Sequence, residues 1–408
     1  MSDTAHQDQN GGIVPVPSHV DPKLVVDFDY EKPPGIEDGD TYKALKRLHA
    51  GPDIVWTPRH GGHWIVTRAE DIKWVQETYQ LFSHKAFSSQ GRSPFIPPIS
   101  VDPPDSIRYR ALFNPYFTKR RVEDVYQIST REIIVDLIEK LRPKGRCEFV
   151  REFAFIAPVS VFFNVVNLPL SRREEFLEWG RMNSWGENEG VRAKGRMAMI
   201  DYIKGLLKDR EKNPGDDIFT SISGFRNNSR FQNEDEIIGM AYLVFVAGQD
   251  TVAAQMSFAA WQMAQRPELH HRLRDDPAIL PQAVEEFLRR HGLSNTFRLI
   301  VDDCERKGVQ FKKGDLVMVP IGLSGLDERS YDDPFRVDFD RPPAPHNTFG
   351  NGAHLCVAAT LARMEIRVFL EEWSKRMPPV RFDPDKPAPV SHAGAINGLS
   401  HLHLAWDV

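Results

Sequence analysis

The chain has 408 residues, 41% hydrophobic and 27% charged, with a net charge of -5. These are globular proportions, and the acidic balance argues against nucleic acid as the main partner. Its three cysteines, Cys147, Cys304 and Cys356, are too few and too scattered for a disulfide framework, which suits a reducing cytoplasm.

The opening MSDTAHQDQNGG lacks a basic n-region and an apolar h-region, so no signal peptide is expected. Residues 1–35, rich in proline and polar groups, read as an N-terminal arm. Residues 36–408 read as a single domain. Its β-rich part falls mainly at 50–70 and 295–400, its helical part mainly at 105–290 and 357–376. In DTYKALKRLHA, the residues Tyr42, Leu45 and Leu48 share one helical side. Two β-rich runs, Ile54 to Trp56 and Trp64 to Thr67, flank Gly61–Gly62 and predict a hairpin. From Phe82 to Pro104 the prolines exclude a regular helix. Phe87, Phe95 and Ile96 are apolar for a loop and either anchor it on the core or roof a pocket. A helix follows Asp102-Pro-Pro, and NPGDD at 213–217 marks a break.

Asn233 to Arg266 predicts one long helix. Asn233 and Glu236 resemble a capping box, and Pro267 supplies the stop. At about 30 residues it would be roughly 45 Å long. Its longest apolar run, Ile237 to Gly248, is too short to span a bilayer, so no membrane partner is expected. RLIVDD, VQFKKGDLVMVP and the terminal HLHLAWDV read as short strands. The fold class is mainly α with small β-sheets.

Two stretches carry candidate chemistry. In FGNGAHLCVAATL, Cys356 follows Gly350 and Gly352 and precedes apolar residues at Val357, Leu361, Met364 and Val368, a helical spacing. A cysteine at a helix start lies near the positive end of the macrodipole, which favours a thiolate. Cys147 and Cys304 read as small buried hydrophobes. For Cys356 the pattern Phe349-x-x-Gly352-x-His354-x-Cys356 points to the thiolate ligand of a haem iron. Zinc is the weaker alternative, because it wants about four ligands and no second cluster has suitable spacing. In the long helix, Ala247-Gly248-Gln249-Asp250-Thr251 interrupts an apolar run. Either Asp250 is a satisfied buried acid beside a kink, or Thr251 positions a water or dioxygen and Asp250 links it to solvent protons. Glu286 and Arg289 share a helix face and read, alone, as a surface pair. Arg110, Arg298 and His354 are candidates for the carboxylates of a haem.

Together these residues resemble the cytochrome P-450 superfamily over nearly the whole chain. The segment Phe349 to Cys356 matches the haem-thiolate signature, Ala247 to Thr251 the oxygen-activation motif, and Glu286-x-x-Arg289 the structural pair, with Arg341 as a candidate downstream partner. VDFDY (26–30), GGHWIVTR (61–68), SVDPPDSIRYRAL (100–112), SGLDER (324–329) and HLAWDV are similar to the soluble bacterial camphor monooxygenases. The resemblance implies a triangular-prism fold, haem b with an axial Cys356 thiolate, and catalysis by Asp250 and Thr251. It implies cofactor contacts at Arg110, Gly248, Arg298, Phe349 and His354. Its implied substrate pocket is Phe87, Phe95, Leu243, Val246, Ala247, Ser294 and Ile396. The implied partners are O2, a [2Fe–2S] ferredoxin with its flavin reductase, and a small hydrophobic substrate, terpenoid or norisoprenoid-like. The chain departs from the family at Ala358, where glycine is usual, and at Gln249. Ser93, Pro94 and Phe95 stand where camphor hydroxylases present a tyrosine, which points away from camphor. A docking patch for the ferredoxin would include Arg108, Lys119, Arg120 and Arg363. The alternatives to a monooxygenase are a haem-thiolate peroxygenase or isomerase, and a non-catalytic haem-binding sensor.

Overall fold

The computed structural model describes residues 12–88, 94–343 and 345–408, apart from the side chains at 184 and 185. Ser93 and the first part of the expected arm, 1–11, lie outside these residues.

The predicted hairpin forms as β1 (Ile54–Thr57) and β2 (His63–Val66), antiparallel, with Ile54 opposite Val66 and Trp56 opposite Trp64. Three further strands complete a five-stranded sheet: β3 (Phe82–Ser83), β4 (Asn295–Ile300) and β5 (Leu316–Pro320). The order is β1-β2-β5-β4-β3, with only the β2–β5 pair parallel. Val25 bridges to Trp56, and Val20, Phe28 and Tyr30 are buried, so the later part of the arm is docked on this sheet. One apolar cluster belongs to the sheet and its cover, from Val20 to Leu323.

A second, larger cluster belongs to the helices. Those that bear on the site are α1 (Ser106–Phe113), α2 (Arg173–Trp185), α3 (Glu189–Lys212), α4 (Glu234–Ala247), α5 (Asp250–Gln265), α6 (Leu280–Arg290) and α7 (Ala359–Arg376). The NPGDD break appears as expected: α3 ends at Lys212, and Asp217 caps the next helix by accepting from the Thr220 N–H at 2.9 Å.

Three sequence expectations need correction. The segment 233–266 is not one regular helix, because α4 stops at Ala247 and α5 starts at Asp250. The physical reason lies at Thr251, whose hydroxyl donates to the Ala247 carbonyl at 3.1 Å next to a glycine. The two helices together, Glu234–Gln265, are long and apolar enough to cross a membrane, yet 56% of the apolar window is buried inside the protein. The capping box is also incomplete. Asn233 accepts from the Asp235 N–H, but Glu236 reaches back to the Gln232 N–H and bonds the Tyr109 hydroxyl and Arg108 (2.9 Å) instead. Last, α7 begins three residues after Cys356, with Ala358 as its cap.

Candidate active site

The loop before α7 is shaped by two residues with positive φ, Gly350 (76°) and Gly352 (66°). A Cβ on Gly352 would meet the Glu77 backbone at 3.1 Å, so a side chain there is excluded by both conformation and space. The Cys356 N–H donates to the Phe349 carbonyl at 2.9 Å and closes the loop. Arg363 lies over the Phe349 ring at 4.4 Å and is itself held by Glu285 at 2.6 and 2.9 Å.

Cys356 is exposed by surface area, although protein surrounds it. Burial pushes its thiol pKa up, while the Ala358 N–H, Arg110 and Arg363 pull it down. A cavity of about 500 Å³ reaches Cys356, walled by Arg110, Asn114, Phe117, Phe349 and Arg363. A larger one, about 590 Å³ around Trp261 and Arg290, has none of the expected site residues in its wall.

Arg110 and Arg363 act on this thiol, and Arg110 and Arg298 both act on His354. Arg110 on α1 donates to the Leu355 carbonyl at 2.9 Å; burial lowers its pKa and the Cys356 sulfur raises it. Arg298 on β4 is 5% exposed, and burial brings its pKa down to about 9. Its Nη1 bonds Thr296 and the Phe297 carbonyl, but its Nε has no partner among the described residues. His354 shares a hydrogen bond with Asp102 at 3.2 Å. Burial lowers the His354 pKa more than Asp102 raises it. Burial also pushes the Asp102 carboxyl up, but His354, the Ser83 hydroxyl and the His84 N–H outweigh it and hold it low.

The helix break supplies the other half of the expected site. On α4, Val244 and Phe245 are buried, while Leu243 and Val246 are half-buried and Ala247 is exposed. A Cβ on Gly248 would meet nothing within 4 Å, so the break borders open space. Thr251 and Asp250 follow it, both half-buried. Gln249 turns the other way, buried, with its Oε1 close over Gly180 of α2. Ser294 and Ile396 meet as bridge partners. Phe87 is half-buried and its carbonyl accepts from the Phe297 N–H, whereas Phe95 is 45% exposed. None of the expected substrate-pocket residues, and neither Asp250 nor Thr251, lines the cavity at Cys356.

Glu286 and Arg289 form a buried pair, each side chain 2% exposed, rather than a surface one. Arg289 bonds both Glu286 oxygens at 2.7 and 2.8 Å, and Arg341 reaches the same carboxylate at 3.2 Å. The Asp338 N–H and carbonyls of Pro334 and Arg336 satisfy the rest, which a buried ion pair requires. In the expected docking patch Arg108 drops out, since its guanidinium is spent on Glu236 and the Tyr109 ring. Lys119 and Arg120 remain exposed.

This donor set fits a haem. Its sulfur feels an amide N–H and two cations, Arg110 and Arg363, and nearby His354 feels Arg110 and the buried Arg298, whose Nε finds no acceptor among the described residues. Two residues near it carried no sequence signal of their own: Asp102, the shared acceptor, and His84, whose ring stacks on His354 at 3.5 Å. Both lie in the aperiodic stretch 82–104.

A cytochrome P450 family model matches residues 185–373. Over 405 residues the chain is 34% identical to probable cytochrome P450 127A1 of Sinorhizobium fredii, covering 96% of this chain and 97% of that one. It is 30% identical to cytochrome P450 107B1 of Saccharopolyspora erythraea over 78% of this chain and 82% of its relative. The solved structure of cytochrome P450 CYP101C1 superposes with a TM-score of 0.87 at 33% identity, covering 96% of this chain and 100% of that one. CYP101J2 does so at 0.85 and 28% identity, with the same coverage.

Proposed function

The chain belongs to the cytochrome P450 family of monooxygenases, and from that premise we propose that it hydroxylates a compact apolar substrate with electrons from a ferredoxin. In this reading Cys356 would ligate the iron of a haem b through its thiolate. Arg110, Arg298 and His354 would hold its carboxylates, and Phe349 and Gly248 would border it. The bound haem supplies dioxygen activation, helped by electron density from the thiolate. The single observation that carries the reading is the buried Arg298, whose Nε has no acceptor among the described residues and whose charge acts on His354, two residues before Cys356.

The chain's own residues account for the remaining requirements. Thr251 holds a proton donor at its Oγ1, and Asp250 passes protons toward it from solvent. Leu243, Val246, Ala247, Ser294, Ile396, Phe87 and Phe95 hold the substrate by shape and exclude water. Such a pocket discriminates one methylene by about 1–3 kcal/mol, which suits a small terpenoid or norisoprenoid taken with moderate promiscuity. Electrons come from a [2Fe–2S] ferredoxin served by a flavin reductase, and the enzyme works as a soluble cytoplasmic protein.

Replacing Cys356→Ser tests the reading. The reduced carbon monoxide complex of the wild type should show the red-shifted Soret band of thiolate ligation, and the variant should lose it. A variant that keeps the band would remove Cys356 from the iron. A spin-state screen of the wild type against terpenoids, with aromatics as the contrast, then sorts the substrate class.

A further inference from the structure

His84 sits at the end of β3, 5% exposed, and its ring stacks on that of His354 with centroids 3.5 Å apart and planes 13° from parallel. Its backbone N–H is committed to Asp102 at 3.0 Å, the same carboxylate that holds His354 and the Ser83 hydroxyl. Asp102 thereby fixes where both rings stand. Yet neither ring nitrogen of His84 has a hydrogen-bond partner among the described residues. The Ile99 backbone pulls weakly on the ring without reaching hydrogen-bond geometry, while burial, Arg298 and His354 all disfavour its charged form.

A buried imidazole with no partner costs free energy unless something else satisfies it. Arg298, whose field His84 feels, carries a second orphaned donor, its Nε. Two unsatisfied, buried donor groups and a stacked histidine pair meet where three carboxylate-binding residues are already proposed. A neutral imidazole keeps one N–H donor in either tautomer.

We propose that His84 is a further donor to the haem carboxylate edge, its ring N–H completing the set formed by Arg110, Arg298 and His354. The proposal rests on the haem reading above. Stacking on His354 sets the plane of the ring, and the Asp102 bond sets its position along the chain, so the N–H is aimed before any carboxylate arrives.

The test compares haem loss to excess apomyoglobin for wild type and His84→Phe, each reconstituted with haem and with haem dimethyl ester. Phenylalanine keeps a flat ring for stacking and removes the donor. One charge-assisted hydrogen bond lost should speed haem release about tenfold. With the diester, which has no carboxylates, the same substitution should change nothing. His84→Gln keeps an N–H and should release haem within about threefold of wild type, and it replaces the phenylalanine variant if that one does not fold. Equal release from wild type and His84→Phe would overturn the proposal. So would an equal penalty with both haems, or a glutamine variant as fast as phenylalanine, because the ring would then act by packing. The carbon monoxide spectrum of each sample separates the two readings: a normal thiolate band with unchanged release sinks the His84 role alone, whereas a missing band in wild type sinks the haem-thiolate site.

Discussion

Thr251 commits its hydroxyl proton to a carbonyl one turn back, that of Ala247. Its Oγ1 lone pairs are left to accept, three residues after Gly248, on which a Cβ would meet nothing within 4 Å. That is the geometry of a small polar anchor at the edge of an open space, so Thr251→Ala should leave substrate binding nearly unchanged and disturb proton delivery. General acid–base groups contribute about 10²–10⁴-fold, so product formed per NADH should fall by about tenfold or more, with peroxide making up the difference. Thr251→Ser should restore most of the coupling. A threonine-to-alanine variant with wild-type coupling would refute the relay. At this scale the sequence was informative wherever a residue sat in a fixed pattern, as Cys356 and Thr251 do. It was silent on His84, because a loop has no period and the ring that His84 stacks on lies 270 positions away, at His354.

The elements were legible where turn residues bounded them. The hairpin, α1 and the strand runs near 295–320 all read correctly, from β-rich runs around Gly61–Gly62 and from Asp102-Pro-Pro before α1, although β1 and β2 are buried at every position and show no alternation. The break between α4 and α5 was legible in place, as a polar interruption and a kink at 247–251, but not in extent, since one continuous helix was expected and α4 stops at Ala247 while α5 starts at Asp250. Packing against loops was hidden. On α4, Gly239 faces the loop 94–100: a Cβ there would stand 2.3 Å from the Phe95 carbonyl oxygen and 3.1 Å from the Pro97 Cδ. In Gly239→Ala two effects compete. Alanine favours the helix by about 1 kcal/mol, while forcing atoms into a filled space costs about 1–3 kcal/mol. The obstacle is a backbone oxygen, which cannot rotate aside, so the clash should win. The variant should be destabilised by about 1 kcal/mol in urea and should bind spin-shifting ligands more weakly as the loop retreats. A variant stabilised by the full helix gain would mean that the loop yields freely.

Across the whole molecule, stability should depend on pH through two kinds of group that act in different windows. Paired carboxylates form the first. Burial raises the Glu285 pKa, but His346 and Arg363 outweigh it and hold the carboxyl at about 2; Arg131 leads in holding Glu371 at about 2. An unfolded carboxylate titrates near its ordinary value of about 4.3, so these groups withdraw stability only as pH falls from there toward 2. Buried neutral histidines form the second kind. Burial drives His63 down to about 3 and His270 down to about 4. Their unfolded pKa is about 6.5, so the unfolded chain takes up protons first as pH falls, and their stabilising contribution is complete only above that value.

The interval from about pH 6 to 5 therefore belongs mainly to the histidines, and His63 offers a clean probe of it. It is 1% exposed in β2, both ring nitrogens lack a partner among the described residues, and its ring meets Phe297 edge-on at 5.0 Å and Tyr30 at 6.3 Å. A phenylalanine preserves those ring contacts and cannot titrate. Each fully neutral buried histidine should tilt stability by about 1.4 kcal/mol per pH unit once the unfolded chain is protonated. Urea denaturation of wild type and His63→Phe at pH 7, 6 and 5 should show both losing stability, with wild type losing about 1 kcal/mol more between pH 6 and 5. The two curves should run parallel above pH 7, where neither state of His63 is charged. Parallel curves throughout would mean that His63 takes up its proton in the folded protein as readily as in the unfolded chain. The sheet around β2 would then admit a charge that its apolar cluster should refuse.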